Sequence, residues 1–215
     1  FNIYTLLKRK IYKHYPIMEE FWDERYDTKE FVYGKHPNDL FKEFIDKTPK
    51  GSILLPAEGE GRNAIYAALK GWEVTAFDFS IEARKKAMQL ASEYQVHIDY
   101  HISHIEDFDT SKKFDAVALI FLHLPPQTRQ NMHRKLINFL KPGGYYLMES
   151  FSRKQFHLNT GGPKNMTLLY NGQELIEDLK SLELMHYKEK LRRLYEGSYH
   201  KGEAEVIQLI ARKLN

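Results

Sequence analysis

Residues 54–78, LLPAEGEGRNAIYAALKGWEVTAFD, contain the pattern that predicts the fold of this chain. A short apolar run leads into Gly59-Glu60-Gly61, an amphipathic segment follows at once, and a second apolar run ends at Asp78. Glycine permits a tight turn and a close approach of the backbone to a ligand, and a helix N-terminus presents free N–H groups. A carboxylate after the second strand can accept hydrogen bonds from both hydroxyls of a ribose. The order of strand, glycine turn, helix, strand and acid therefore predicts a nucleoside-binding unit.

The same alternation of short apolar runs and amphipathic segments continues along the chain. Apolar runs predict strands at 52–56, 72–77, 96–102, 115–121 and 145–148. The run DAVALIF at 115–121 is typical of a strand that is buried on both faces of a parallel sheet. Pro142-Gly143-Gly144 is expected to interrupt the chain before the strand at 145–148. The pattern predicts an α/β fold in which a mostly parallel, doubly wound sheet has helices on both sides.

The last third of the chain departs from this alternation. Residues 183–195 and 203–212 read as two strands, and only the polar, glycine-containing turn Glu196–Gly202 connects them. Strands joined by so short a turn must be antiparallel neighbours. The sheet is therefore expected to close with an antiparallel hairpin.

Composition limits the classes of protein to which the chain can belong. It has 215 residues, of which 42% are hydrophobic and 28% charged, and it contains no cysteine. This mixture is typical of one folded domain. The absence of cysteine excludes disulfides, thiolate metal sites and cysteine nucleophiles, and it is compatible with a cytoplasmic location. No apolar run approaches the roughly 18 residues that a membrane-spanning helix needs.

The net charge of +3 comes from the N-terminus. Four basic residues lie in residues 1–17, which contain no acid, and subtracting them leaves 28 Lys and Arg against 29 Asp and Glu. The nearly neutral remainder argues against a nucleic-acid partner, and we expect no membrane partner either. We interpret residues 1–17 as an upstream extension and residues 18–215 as the domain. The alternative for the basic segment is an arm that binds a membrane surface or nucleic acid.

Two cofactor classes fit the glycine turn. Gly59-x-Gly61-x-x-Ala64 satisfies the fingerprint of dinucleotide-binding folds, so a nicotinamide-dependent oxidoreductase is one alternative. Two features favour S-adenosylmethionine. About thirty residues that read as helical (18–48) precede the first strand, and LKPGG at 140–144 is followed by a strand and then by the antiparallel pair.

From about Trp22 onward the sequence resembles the class I S-adenosylmethionine-dependent methyltransferases. Within that class it is similar to the small-molecule branch of tellurite-resistance and thiopurine or thiol methyltransferases. The matching segments are WDERYD (22–27), YGKHPN (33–38), PAEGEGRN (56–63), VTAFDFS (74–80), FDAVALIFLHLP (114–125), LKPGG (140–144) and HKGEAEVI (200–207). The resemblance implies a Rossmann-like sheet of seven strands, no metal, and methyl transfer to a small molecule, for which a thiol or another soft nucleophile is the expected acceptor. We expect a monomer or a homodimer.

The resemblance also implies roles for individual residues. Gly59 and Gly61 would form the loop beneath the methionine part of the cofactor, Asp78 would hold the ribose, and Phe79 would pack near the adenine. The remaining expected cofactor contacts are His104 and Ile105 at the adenine edge, the 120–123 strand end including Phe121 as the pocket floor, and Tyr33 and Gly34 in a covering segment.

Two positions depart from the family pattern. Leu55 stands where many members have an acid that helps to hold the cofactor's ammonium group, and Ala57 stands where many have glycine. Glu58, in the same turn, is a candidate replacement for the acid. The departures also motivate a third hypothesis, a non-catalytic S-adenosylmethionine-binding protein.

His123 is the candidate general base, because it follows the buried strand and a histidine has a pKa near neutrality. The alternative is a histidine that shapes the pocket or caps the next helix. Arg153 and Tyr170 flank Gly161-Gly162-Pro163 and are candidate substrate contacts in a lid at 152–170, although Arg153 also fits a solvated cation.

A metal site is not expected. His97, His101 and His104 are close in sequence, but no carboxylate or cysteine accompanies them at ligand spacing. Residues 18–48 are expected to cover the cofactor. Within them, the aromatic segment 22–38 is interrupted by Gly34 and Pro37, so we predict a mobile lid there and not one rigid helix. A static helix on the sheet edge is the alternative.

Overall fold

Seven strands alternate with helices along residues 16–214, the part of the chain that the computed structural model describes. The helices are α1 (Pro16–Tyr26), α2 (Asp39–Lys47), α3 (Arg62–Leu69), α4 (Ile81–Glu93), α5 (Pro126–Phe139) and α6 (Gly172–Asp178). The strands are β1 (Ser52–Pro56), β2 (Glu73–Asp78), β3 (Asp99–Ile102), β4 (Phe114–Ile120), β5 (Leu140–Phe151), β6 (Leu182–Glu196) and β7 (His200–Lys213). Of the predicted extension, residues 1–15 lie outside the described residues, and α1 begins at Pro16.

The strands form one sheet in the order β3-β2-β1-β4-β5-β7-β6. β1 to β5 are mutually parallel, whereas β7 runs antiparallel to both of its neighbours, β5 and β6. The predicted Rossmann-like α/β fold, with seven mostly parallel strands and a C-terminal antiparallel hairpin, is confirmed. The strand order reverses between β1 and β4, and ligands of open α/β sheets bind at such a reversal, beyond the carboxyl ends of the strands.

The central strands are apolar throughout because helices cover both faces of the sheet. Ile53 and Leu55 of β1 pack on one face with residues of α2, α3 and α4, whereas Leu54 packs on the other face with residues of α5 and α6. All three side chains are fully buried, and each contributes roughly 1.5–3 kcal/mol to stability. This two-sided burial explains why β1 and β4 read as continuous apolar runs and not as alternating ones.

β5 corrects one expectation from the sequence. Pro142-Gly143-Gly144 does not interrupt the chain before the strand, because β5 begins at Leu140 and continues through these residues. The register with β4 shifts there, from Phe114 opposite Leu140 to Ala116 opposite Tyr145. Gly143 has φ +74°, and a Cβ on Gly144 would lie 2.9 Å from the Lys141 carbonyl oxygen. The segment is therefore a bulge, which glycine accommodates and which larger residues would strain.

No helix within residues 16–214 is both long enough and apolar enough to cross a membrane.

Candidate functional site

The β1–α3 turn lies at the carboxyl edge of the sheet and contains three residues with positive φ. They are Ala57 (φ +51°), Gly59 (φ +61°) and Gly61 (φ +88°). A Cβ on Gly61 would lie 2.8 Å from Cβ of Ala87 in α4, and a Cβ on Gly59 would lie 2.9 Å from the Tyr26 hydroxyl oxygen. Both glycines are therefore required by backbone conformation and by close packing. Ala57 adopts a left-handed conformation that costs a residue with a side chain roughly 1–2 kcal/mol.

Glu58 serves the turn itself. Its Oε1 accepts hydrogen bonds from the backbone N–H groups of Asn63 and Ala64, both at 2.8 Å, so the carboxylate caps the N-terminus of α3. Burial raises the pKa of Glu58 to about 7, although these hydrogen bonds oppose the rise. Its carboxylate is thus engaged by the first turn of α3, and the expectation that Glu58 holds a ligand's ammonium group stays a prediction.

Asp78 ties the end of β2 to the glycine turn. Its Oδ2 accepts from the Gly59 N–H at 3.1 Å, and its Oδ1 accepts from the Ser80 N–H at 2.9 Å. The side chain is buried, and burial raises its pKa to about 6 against the opposing effect of these backbone donors. Each carboxylate oxygen can accept a further hydrogen bond. The geometry therefore suits a ligand that donates two hydrogen bonds, such as the two hydroxyls of a ribose.

An open cavity of about 380 Å³ adjoins the end of β2. The rings of Phe79 and His104 stack at its wall, with centroids 5.3 Å apart and planes inclined by 20°. Such a cavity suits a flat heteroaromatic group. Ile105 packs against the main core and is not one of the residues that line this cavity, and its expected place at the adenine edge stays a prediction. The lining residues are Asp23, Phe79, Ile81, Ile102, Ser103, His104 and Asp107.

A group of aromatic rings, packed against one another, lies at the ends of β4 and β5. Phe121 follows β4 with φ +56°, and its ring centroid is 4.6 Å from that of Phe151 and 4.6 Å from that of His200. The ring centroid of Tyr33 also lies 4.6 Å from that of His200. We name Tyr33, Phe121, Phe151 and His200 the aromatic pocket. These four side chains carry no charge when His200 is neutral.

The segment 152–170 closes over the aromatic pocket at two glycines. A Cβ on Gly161 would lie 2.6 Å from Cδ2 of His200, and a Cβ on Gly162 would lie 2.8 Å from Cδ2 of Phe151. The backbone of this loop therefore lies directly against the two rings.

His123 does not present a free nitrogen to this pocket. Its Nδ1 lies 2.8 Å from the Leu168 carbonyl oxygen and must carry the proton, while its Nε2 accepts from the Phe151 N–H at 3.3 Å. Burial lowers its pKa to about 4. Because both nitrogens bind backbone groups, His123 could act as a general base only if one of these hydrogen bonds opened, and that role stays a prediction. The ring connects the segment 152–170 to β5.

The candidate substrate contacts Arg153 and Tyr170 also have other partners. Arg153 makes an ion pair of 2.7 Å with Glu174 at the surface. Tyr170 is 1% exposed, and its hydroxyl oxygen accepts from the Leu124 N–H at 2.9 Å. Burial raises the pKa of Tyr170. The substrate contacts expected of Arg153 and Tyr170 stay predictions.

Residues 27–38, between α1 and α2, lie against the glycine turn and the hairpin. Glu60 accepts from the N–H groups of Val32 at 3.2 Å and Tyr33 at 3.3 Å. Arg25 donates to the Tyr33 hydroxyl at 3.2 Å, and its guanidinium stands 4.4 Å from the ring centroid of Tyr199. Tyr33 and Gly34 thus lie beside the glycine turn, as a covering role requires. The mobility of this segment stays a prediction.

Sequence reasoning missed a buried charged cluster next to the aromatic pocket. Glu196 accepts from Arg62 at 2.7 Å and from Arg192 at 2.5 Å, and Asn38 donates to it at 3.1 Å. Burial acts to raise the pKa of Glu196, but Arg62, His200 and Arg192 lower it to about 2. The one sequence signal for this cluster was the segment HKGEAEVI (200–207), which begins with His200 and matches the family, but the match implied no role for His200.

No group of three or more His, Asp or Glu side chains in residues 16–214 is arranged to hold a metal ion. Of the three histidines considered above, His101 instead stands 3.0 Å from the carboxylate of Asp99.

Comparison with known proteins identifies the same region. Residues 53–144 match the methyltransferase domain family. A ubiquinone biosynthesis O-methyltransferase of Xanthomonas axonopodis pv. citri is 29% identical over 149 residues, which are 67% of this chain. The chain spans 58% of the length of that relative.

Several solved structures share the fold. The N-methyltransferase NodS of Bradyrhizobium japonicum, in complex with S-adenosyl-L-homocysteine, superimposes with a TM-score of 0.71 and 12% identity, covering 92% of this chain and 98% of NodS. TehB of Haemophilus influenzae gives a TM-score of 0.66 and 19% identity over 91% of this chain and 66% of TehB. A protein studied for the conversion of a disulfide bond into a thioacetal group in echinomycin biosynthesis gives 0.77 and 16%, covering 92% of both chains.

Proposed function

We propose that this chain is a class I S-adenosylmethionine-dependent methyltransferase, a proposal that its fold and the match of residues 53–144 to the methyltransferase domain family support. The acceptor in this proposal is a small molecule with a thiol or another soft nucleophile. One observation carries the proposal. The glycine turn with Asp78 and the aromatic pocket open onto the same carboxyl edge of the sheet, at the reversal of strand order.

The residues at this edge fit S-adenosylmethionine. The positive φ angles of Gly59 and Gly61 make the turn tight, and neither residue adds a side chain to it. The buried carboxylate of Asp78 suits the ribose hydroxyls, and the cavity lined by Phe79 and His104 suits the adenine. Tyr33 would cover the cofactor. Leu55 leaves no acid at the end of β1 for the ammonium group, so backbone carbonyls of the turn would have to receive it.

When bound, S-adenosylmethionine supplies an electrophilic methyl group, which an acceptor attacks in line with the departing sulfur. The chain contributes orientation and exclusion of water. Phe121 and Phe151 would line the acceptor site, and the Gly161-Gly162 loop would cover it from outside. Tyr33 would separate the reacting atoms from solvent.

The pocket supports a small, uncharged acceptor. Aromatic walls favour apolar or soft groups over hydrated oxyanions, because burying a charge without a partner is costly. A thiol satisfies this requirement in its neutral form. A phenolic hydroxyl is the second candidate, since the relative that is 29% identical is named as an O-methyltransferase of ubiquinone biosynthesis. A monomer or homodimer in the cytoplasm belongs to the same proposal.

The two alternative functions are less well supported. Dinucleotide-binding sheets of the doubly wound type have the order 3-2-1-4-5-6 with all strands parallel, whereas β7 here is antiparallel and inserted beside β5. This argues against a nicotinamide-dependent oxidoreductase. A non-catalytic binding protein would not need the group of aromatic and histidine side chains beside the glycine turn, although Leu55 and Ala57 remain departures from the family pattern.

Two experiments test the proposal. Thermal shift with S-adenosylmethionine, S-adenosylhomocysteine and NAD should raise the melting temperature for the first two ligands only, because a ligand stabilises the state that binds it. Turnover should then be measured against thiols, catechol, selenite, tellurite and halide. Methylation of a thiol supports the proposed acceptor, and methylation of catechol alone would replace it with an oxygen acceptor. Stabilisation by NAD alone would overturn the proposal.

A further inference from the structure

The aromatic pocket contains one side chain that can accept a proton. His200 is the first residue of β7, is 6% exposed, and contacts the rings of Tyr33, Phe121 and Phe151. Its neighbour in the pocket, His123, has both nitrogens bound to backbone groups. A phenol such as Tyr33 is a poor base near neutral pH, because its proton leaves only near pH 10. His200 is therefore the candidate for a proton acceptor.

A carboxylate faces the other side of the His200 ring. Nδ1 of His200 is buried and has no hydrogen-bond partner within residues 16–214, and Oε2 of Glu196 stands 3.7 Å away. A movement of less than about 1 Å would convert this approach into a normal hydrogen bond of roughly 2.7–3.2 Å. Catalytic hydrogen bonds are often long without ligand and shorten in the complex. A carboxylate at Nδ1 places the proton there and leaves the Nε2 lone pair free.

Glu196 is itself held in place. Arg62, at the start of α3, donates to the same Oε2 at 2.7 Å, and Arg192 donates to Oε1 at 2.5 Å. Both Arg62 and Glu196 have side chains that are 8% exposed, so this ion pair is shielded from water. Arg62 thus binds Glu196, and Glu196 approaches the imidazole of His200, whose ring contacts the other aromatic side chains. This is the arrangement by which a buried carboxylate orients a histidine and stabilises its protonated form.

We propose that His200 receives the proton of the methyl acceptor, and that Glu196, held by Arg62, is the residue that positions it. This inference rests on the proposed function. The acceptor's heteroatom forms a bond to the methyl carbon while the bond from that carbon to the cofactor sulfur breaks, and the electron pair goes to sulfur. The heteroatom becomes positively charged, so its proton becomes acidic and passes to Nε2 of His200. The imidazolium then returns the proton to water.

The charges around His200 are consistent with a ring that is neutral at pH 7. Burial lowers its pKa, and Glu196 opposes this effect. The charged or titratable groups that act on the ring or contact it are Glu196 from β6, Arg62 from α3, Arg25 from α1, Tyr33 from the covering segment, and His123 from the loop after β4. A neutral ring accepts a proton in the reaction, and the nearby carboxylate stabilises the resulting charge.

The test compares two thiols that differ in their need for a base. Phenylmethanethiol, an alkyl thiol like cysteine, is mostly protonated at pH 7, whereas 4-nitrobenzenethiol is mostly ionised. His200→Gln keeps a polar side chain of similar length but cannot take up a proton. It should lower kcat/KM for phenylmethanethiol by about 100-fold, the size typical of a general base, and for 4-nitrobenzenethiol by less than about threefold. His186→Gln, on the exposed part of the same hairpin, is the matched control and should change neither value.

Equal losses for both thiols would overturn the proposal, because a structural role does not distinguish ionised from protonated acceptors. Calorimetry with S-adenosylhomocysteine separates this result from a failure of the proposed function. If the wild-type chain does not bind S-adenosylhomocysteine, the proposed function is refuted. If it binds the ligand and His200→Gln lowers kcat/KM equally for both thiols, only the role of His200 is refuted.

A second measurement needs no turnover. In the S-adenosylhomocysteine complex, the ring signals of His200 are followed by NMR as a function of pH. Glu196→Gln should lower the pKa of His200, and Glu196→Asp, which keeps the charge, should restore much of it. A ring that does not titrate, or whose pKa is the same in wild type and in Glu196→Gln, overturns the pairing even if neither thiol is methylated.

Discussion

Lowering the pH should weaken the binding of S-adenosylhomocysteine through one residue, Asp78. Its carboxylate is buried, it accepts the N–H groups of Gly59 and Ser80, and burial raises its pKa to about 6. A ribose hydroxyl donates to an ionised carboxylate and forms a weaker contact with a protonated one. Protons and ligand should therefore compete for the same side chain.

The magnitude follows from that pKa. Above pH 7 the carboxylate is ionised and the Kd should be constant. Below pH 6 each unit should weaken binding about tenfold, or about 1.4 kcal/mol, so the Kd at pH 5 should be about ten times that at pH 8. At pH 6 about half of the carboxyls are protonated, so binding should release about half a proton. Asp78→Asn should weaken binding by about 1.5–3 kcal/mol at pH 8 and remove the dependence on pH.

Isothermal calorimetry between pH 5 and pH 8, in pairs of buffers with different ionisation enthalpies, measures both the Kd and the proton release. Glu58→Gln is the control, because Glu58 also has a raised pKa of about 7 but hydrogen-bonds only within the turn. Circular dichroism must show a folded chain at pH 5. A Kd that does not change across this range, or a slope that persists in Asp78→Asn, would refute the placement of the ribose on Asp78.

Three further predictions concern stability and motion. Ala57→Gly should raise the free energy of unfolding by about 0.5–1 kcal/mol in urea titrations, because relief of the left-handed conformation exceeds the entropic cost of glycine; unchanged or lower stability would show that Ala57 is not strained. The pKa of Glu58 is higher in the folded chain than in the unfolded one, so protonation of Glu58 stabilises the fold at low pH. Relative to Glu58→Gln, the free energy of unfolding of the wild type should fall by up to about 3 kcal/mol between pH 4.5 and pH 7. Parallel curves of unfolding free energy against pH for the two proteins would contradict this. Hydrogen exchange at residues 24–38 should slow when S-adenosylhomocysteine binds, and deletion of 1–34 but not of 1–17 should abolish turnover; equally slow exchange with and without ligand would mean a static cover.

The glycine turn could be predicted because all of its determinants are neighbours in sequence. The apolar runs of β1 and β2, the glycines between them and the acid at Asp78 occupy 27 consecutive positions, from Ser52 to Asp78. Positive φ at Gly59 and Gly61 follows from the tightness of the turn, and the structure has both. The antiparallel hairpin could be predicted for the same reason, since a short turn leaves two strands no other arrangement.

The functional groups of the pocket could not be assigned in this way. His123 was correctly placed at the end of β4, but its hydrogen-bond partners come from Leu168 and Phe151, 45 and 28 residues away. Tyr170 was placed near the lid, yet its hydroxyl accepts from Leu124, 46 residues away. Residue type and position along a strand do not reveal whether a nitrogen or a hydroxyl is already engaged.

The sequence by itself determined the class of fold, the glycine turn and the carboxylate after β2, because periodicity, turn chemistry and strand length act between residues that are close along the chain. Only the tertiary structure decided which histidine faces the pocket with a free nitrogen. Arg62 and Glu196 are 134 residues apart, and they meet because the sheet inserts β7 between β5 and β6 and brings the tip of the hairpin back to α3. A buried charge needs a partner wherever the chain supplies one, and which partner it finds depends on the order of the strands and not on distance in sequence.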